Sequence, residues 1–141
     1  MEFDVHGNPM EVDLKAPVFH GLIRGTLPWM LLDILQKEGP LHALGLVKAI
    51  QVRAHGLWKP STGSVYPILH RFEKQGLALS EWQGTKAAPR RVYRLTEKGI
   101  DEVPKARHQL INEFRNAKLI IEMHIHALEA EAMDEGNSND E

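Results

Sequence analysis

Between residues 61 and 98 the apolar pattern of the chain switches from a helical period to a period of two across a single glycine, Gly76. Ahead of it, Val65, Leu69 and Phe72 recur at i, i+4 and i+7, which puts them on one face of a helix. The cluster Ser61-Thr62-Gly63-Ser64 supplies hydroxyls that can cap the unpaired N–H groups of a first turn, and Gly76 supplies the stop. Beyond the glycine come two short runs, residues 77–82 and 91–95, joined by a segment that contains Gly84, Lys86 and Pro89. In the second run a strand would carry Val92 and Arg94 on one face and Arg91, Tyr93 and Leu95 on the other. The pattern predicts a compact helix, a tight stop and a two-stranded hairpin with a flexible cationic loop over residues 83–90.

This is the layout of a winged helix-turn-helix, mainly α with a small β wing. The side of the helix opposite Val65 would present Ser64, Tyr66, Pro67, His70, Arg71 and Lys74, and the hairpin adds Lys86, Arg90 and Arg91. With Ser61 and Thr62 these are the candidate DNA contacts, because hydroxyls and cations donate hydrogen bonds to phosphates and base edges and neutralise charge. Tyr66 is read as the base or sugar-phosphate contact, with packing against the wing as its alternative. Thr62 and Ser64 would hold phosphates at the helix start, Arg71 and Lys74 the backbone, and His70 either a phosphate or nothing. The net charge of the whole chain, -2, argues against a nucleic-acid binder. Segment by segment the picture reverses. Residues 57–98 carry eight Lys/Arg against three Asp/Glu, whereas residues 1–22 are net -3 and residues 129–141 hold six acids and no base.

Upstream, a helix over residues 27–37 is expected, capped by Thr26, with Pro28 in its first turn and Leu27, Leu31, Ile34 and Leu35 facing inward. Gly39-Pro40 ends it. A second helix over 41–54, with Leu44, Val47 and Ile50 inward, would close at Gly56, and Leu57-Trp58 would form the small third strand. Trp29 and Trp58 read as packing residues. Residues 1–22 read as an extended arm that is disordered, pinned to its own domain or packed on a partner. Downstream, Thr96 can cap a helix with Glu97 in its first turn. Its apolar positions recur every three or four residues to about Met133, with Pro104 marking a kink or a fresh start. Such a stripe cannot be buried against a domain of this size, so Leu110, Phe114, Ala117, Ile121, Ile125 and Leu128 are read as a homodimer interface. The expected parts are an arm (1–22), a DNA-binding domain (23–96), a dimerisation helix (97–133) and a disordered acidic tail (134–141).

The segments GPLHALGLVKAI, GLWKPSTGSVYPILHRFEKQGL and PRRVYRLTEKG resemble the PadR family of transcriptional regulators, in order and without large gaps over about residues 23–100. The family usually has His-Gly-Tyr at His42-Ala43-Leu44, and Gly in place of Ala88 before Pro89. The resemblance implies a homodimeric winged-helix repressor that binds a palindromic double-stranded DNA operator and is released by a small-molecule effector. Some multidrug-sensing relatives carry a Trp on the last helix that sandwiches flat ligands; the matching position here is Leu110, with Phe114 one turn on. The competing reading is a winged helix used for protein docking, with little sequence-specific DNA binding.

Other classes find no support in the residues. With no cysteine there is no disulfide and no thiolate metal site, as expected of a cytoplasmic protein. No apolar run approaches a membrane span, and the acidic N-terminus does not resemble a signal peptide. A phosphate loop, a nucleophile elbow and HExxH are all missing, so no enzymatic activity and no cofactor are expected. His124 and His126 are two apart and would point to different sides of a helix, and Glu122 with His126 offers only two ligands, so no metal site is expected.

Overall fold

The computed structural model describes residues 17–139, in the order α1 (Pro17–Glu38), β1 (Leu41–His42), α2 (Ala43–Arg53), α3 (Thr62–Lys74), β2 (Ala78–Thr85), β3 (Ala88–Leu95) and α4 (Glu97–Ser138). It is a winged helix-turn-helix followed by a long helix. The described residues fall into two compact units that meet between Val103 and Pro104, inside α4.

Helix α1 starts ten residues earlier than its apolar stripe suggests. Leu27, Leu31, Ile34 and Leu35 are buried as expected, together with Leu32. Thr26, however, is an interior residue whose hydroxyl donates to the Ile23 carbonyl at 2.7 Å rather than capping a first turn, and Pro28 is interior as well. Residues 17–22 are therefore helical, not extended; the rest of the proposed arm lies outside the described residues. The reason is visible at Gly21 and Gly25, where an added Cβ would meet open space. These early turns face no core, so they leave no apolar period to read.

Helix α2 buries Ala43, Leu46, Val47 and Ile50, an i, i+3, i+4, i+7 set, while Leu44 is exposed. The inward face thus includes Val47 and Ile50 but not Leu44. Its end is a Schellman motif in which His55 takes the left-handed conformation (φ 53°), with His55 N–H on the Val52 carbonyl and Gly56 N–H on the Gln51 carbonyl. The third strand is not Leu57-Trp58. Leu41 and His42, extended directly after Pro40, pair with Tyr93 and Val92, giving the antiparallel order β1-β3-β2.

Asp33 is the one charged residue in the core among the described residues, at 1 % exposure. Lys37 lies 3.1 Å from its Oδ2, and Arg53 of α2 bonds the same oxygen, so the pair fastens α1 to α2. Burial alone would raise this carboxyl, but hydrogen bonds and charge from Arg53 and Lys37 outweigh it and hold the group below the usual carboxylate value.

Helix α3 follows expectation closely. Ser61 caps it by accepting the Ser64 N–H at 3.2 Å, Val65, Leu69 and Phe72 are buried, and a second Schellman motif at Gly76 (φ 73°) ends it. The hairpin is longer than expected. Its ladder runs unbroken from Ala78↔Leu95 to Thr85↔Ala88, so Gln83, Arg90 and most of the anticipated loop lie in strands, joined by a Lys86-Ala87 turn. The outer ladder is exposed on both faces, which leaves it no apolar period. Gly84 (φ 92°) and the Thr85 hydroxyl, which accepts the Ala88 N–H at 3.2 Å, close the tip.

Thr96 caps α4 as expected, accepting the Gly99 N–H at 3.1 Å and donating to the Gly76 carbonyl at 2.6 Å. Gly99 is obligatory here, because a Cβ would lie 2.0 Å from the Leu77 carbonyl oxygen. The helix continues through Pro104 and ends at Ser138, so residues 134–138, expected to be disordered, are helical. Once a helix is formed, extension by a residue costs little, and the polar composition of the tail does not stop it. In the second unit Phe114, Ile121, Ile125 and Leu128 are exposed and Leu110 and Ala117 partly so.

Candidate nucleic-acid interface

Because Val65, Leu69 and Phe72 point into the core, helical geometry turns Tyr66, Pro67, His70, Arg71 and Lys74 outward, and all five are exposed. Tyr66 and His70, one turn apart, meet edge to face with ring centroids 6.3 Å apart. Ser61 and Ser64 are engaged with each other in the cap, their hydroxyls 3.1 Å apart, and Thr62 is half-buried beside them.

The wing separates two arginines that the sequence pairs. Arg91 stands opposite Trp82 and shares the strand face of Ser80 and Tyr93; Arg90 stands opposite Gln83 on the other face. Arg91 Nε donates to Ser80 Oγ at 2.8 Å, and Ser80 Oγ donates to Glu73 Oε2 at 3.0 Å. The Arg91 guanidinium is 3.6 Å from the same Glu73 oxygen and 5.6 Å from the centre of the Trp82 ring. This relay ties the wing to α3 and neutralises the one carboxylate that α3 carries. Arg90 and Lys86 form no ion pair among the described residues.

Recognition helix and wing enclose a cleft of about 460 Å³ whose walls include Thr62, Tyr66, His70, Trp82, Arg90 and Arg91 and no carboxylate. Tyr93 also lines it; its hydroxyl is buried without a hydrogen-bond partner among the described residues, and burial first, then the Glu73 charge, pushes its phenol above the ordinary value. A second cleft of about 280 Å³ at the start of α3 brings His20 and Arg24 of α1 beside Lys59, Ser61 and Ser64. Of the residues singled out in the sequence, Thr62, Tyr66, His70, Arg90 and Arg91 line the first cleft and Ser61 and Ser64 the second, together with Trp82 in the first and Arg24 and His20 in the second. Strand alternation could have found Trp82, which falls in register with Ser80. Nothing in the sequence marks Arg24 and His20, since their helical turns carry no apolar period.

The family model for the transcriptional regulator PadR-like family matches residues 31–105, just over half of the chain and all of the recognition helix and wing. The chain belongs to this family. Its kin are regulators of transcription, not enzymes. This PadR-like protein is 33% identical over 87 residues to the transcriptional regulator YqjI of Escherichia coli, covering 61% of its own length and 40% of that protein's. It is 38% identical over 60 residues to the transcriptional regulator Rv3488 of Mycobacterium tuberculosis, covering 43% of itself and 55% of that protein. The chain thus spans about half or less of these relatives. Among solved structures, a PadR family transcriptional regulator from Eggerthella lenta superposes with a TM-score of 0.62 at 29% identity, over 74% of this chain and 88% of that one. A transcriptional regulator from Clostridium thermocellum gives 0.56 at 28% identity, over 72% and 91%. Among the described residues no helix is long and apolar enough to cross a membrane.

Proposed function

We propose that this PadR-like protein is a homodimeric repressor that binds a palindromic DNA operator through α3 and the wing and is released by a small-molecule effector. The observation that carries the DNA reading is the cleft between Tyr66, His70 and the wing cations, free of carboxylates in its walls. Phosphate contacts are assigned to Lys86, Arg90, Arg71 and Lys74, with Ser61, Thr62, Ser64, Pro67 and His70 framing them and Tyr66 reaching base or sugar. The dimer is assigned to Leu110, Phe114, Ala117, Ile121, Ile125 and Leu128, an apolar set that the described residues leave exposed or half-exposed. Two recognition helices related by a two-fold axis would read half-sites about 10 bp apart or a multiple of that.

The test is an electrophoretic shift of the DNA upstream of the protein's own gene, titrated at two salt concentrations. A discrete shift is expected that weakens steeply with salt, with a slope of about 0.9 per phosphate contact, and that Tyr66→Ala removes. Binding no better than to random DNA, by a protein that is still dimeric, would instead favour protein docking. Once the shift is established, the same assay screens effectors by their power to abolish it.

A further inference from the structure

Trp82 is the residue that the assignments above leave unused. It is 66% exposed, and a lone exposed aromatic needs no explanation by itself. The contact Trp82 makes, and what holds that contact in place, do call for one. Arg91 lies directly across the ladder with its guanidinium over the indole, within the range where a cation is attracted to the ring face. Arg91 is in turn fixed by Ser80 and by Glu73 of the recognition helix. The ring is thus held at the mouth of the same cleft as Tyr66 and His70, by contacts that reach back to α3. A large side chain already in contact with a fixed cation and apolar in its ring suits a surface that is itself part apolar and part anionic.

We propose that Trp82 packs on the deoxyribose-phosphate backbone of bound DNA, and that Arg91 is a positioning residue for that ring rather than a phosphate contact. The inference rests on the DNA-binding reading. Its chemistry follows from the partner's: deoxyribose offers an apolar face between charged phosphates, so the indole covers the sugar while Arg90 and Lys86, without ion pairs of their own among the described residues, take the phosphates. Glu73 would otherwise repel the backbone. Paired with Arg91, its charge is offset, and the indole is left as the group presented to DNA.

The contact is independent of base sequence, so a mixed-sequence duplex at low salt is a sufficient probe. Trp82→Ala should bind about tenfold more weakly, a loss of about 1.4 kcal/mol, with the slope of affinity against salt unchanged. Trp82→Phe should recover part of that loss. Arg90→Ala should instead lower the slope by about 0.9. In a Glu73→Gln background, where no carboxylate is unmasked, Arg91→Ala should weaken binding while keeping the slope, and it should move the Trp82 fluorine resonance of protein labelled with 5-fluorotryptophan before any DNA is added. That resonance, assigned by its loss in Trp82→Phe, should lose its solvent isotope shift when DNA binds. Equal binding by Trp82→Ala and the unaltered protein overturns the contact. A slope lowered by Arg91→Ala in the Glu73→Gln background overturns the positioning role. Failure of the unaltered protein to bind any duplex at low salt overturns the DNA reading itself.

Discussion

Lysines placed together at Leu110 and Ile121 should convert the protein to monomers and weaken operator binding about 100-fold or more. Both residues belong to the apolar set of α4, which has no core of its own in the second unit. Burying two ammonium groups in a helix-helix contact without partners costs far more than such a contact gains, so the dimer would separate rather than accommodate them. A monomer then holds one half-site alone. Linking two modules raises apparent affinity by about two to four orders of magnitude through effective concentration, and this is the factor lost. Sedimentation velocity reads the first effect and an electrophoretic shift the second. The control lies on the same helix. Leu119 and Met123 are also exposed, but lie about half a turn away from Leu110 and Ile121. Lysines there should leave the dimer intact; monomers from that pair and dimers from the first would move the interface to the other face.

What the sequence made legible followed from burial. Val65, Leu69 and Phe72 announce α3 because one face is packed, and Ser61 and Gly76 announce its ends because their conformations are chemically distinctive. Where the chain is exposed, the signal vanishes. The first turns of α1 and the outer ladder of the wing are regular structures with no buried face to impose a period, so the first was read as an arm and the second as a loop. The shift of the α2 face to Ala43 and Leu46 and the choice of Leu41-His42 as the third strand have a different cause. The first depends on what α1 and α3 offer as neighbours and the second on β3, none of which local sequence contains. The candidate site shows the same division. Helical spacing alone yields Tyr66, His70, Arg71 and Lys74, whereas the roles of Arg90 and Arg91 separate only once the register sets Arg91 beside Trp82 and Arg90 beside Gln83.

Arg53→Met should destabilise the first unit by about 3 kcal/mol at neutral pH and reverse the sign of its acid response. In the unaltered protein the folded value of Asp33 lies below its unfolded value of about 3.9. Its contribution is therefore complete above about pH 4 and is lost as the pH falls through the folded value. Without Arg53 the buried carboxylate keeps Lys37, whose side chain is 59% exposed and so offers a weaker, solvent-screened charge. Burial, already the largest single influence on this group and one that opposes ionisation, should then prevail and lift the folded value above the unfolded one. Such a group destabilises the fold once it ionises, so Arg53→Met should gain stability as the pH drops from neutral toward the unfolded value. Urea unfolding followed by circular dichroism at fixed protein concentration and several pH values between about 4 and 7 measures both the loss and its slope. The double variant Asp33→Leu, Arg53→Met should recover most of the loss and show neither slope, because an apolar pair of similar volume leaves no charge stranded. If Arg53→Met alone kept the acid response of the unaltered protein, Arg53 would not be the group that holds Asp33 ionised.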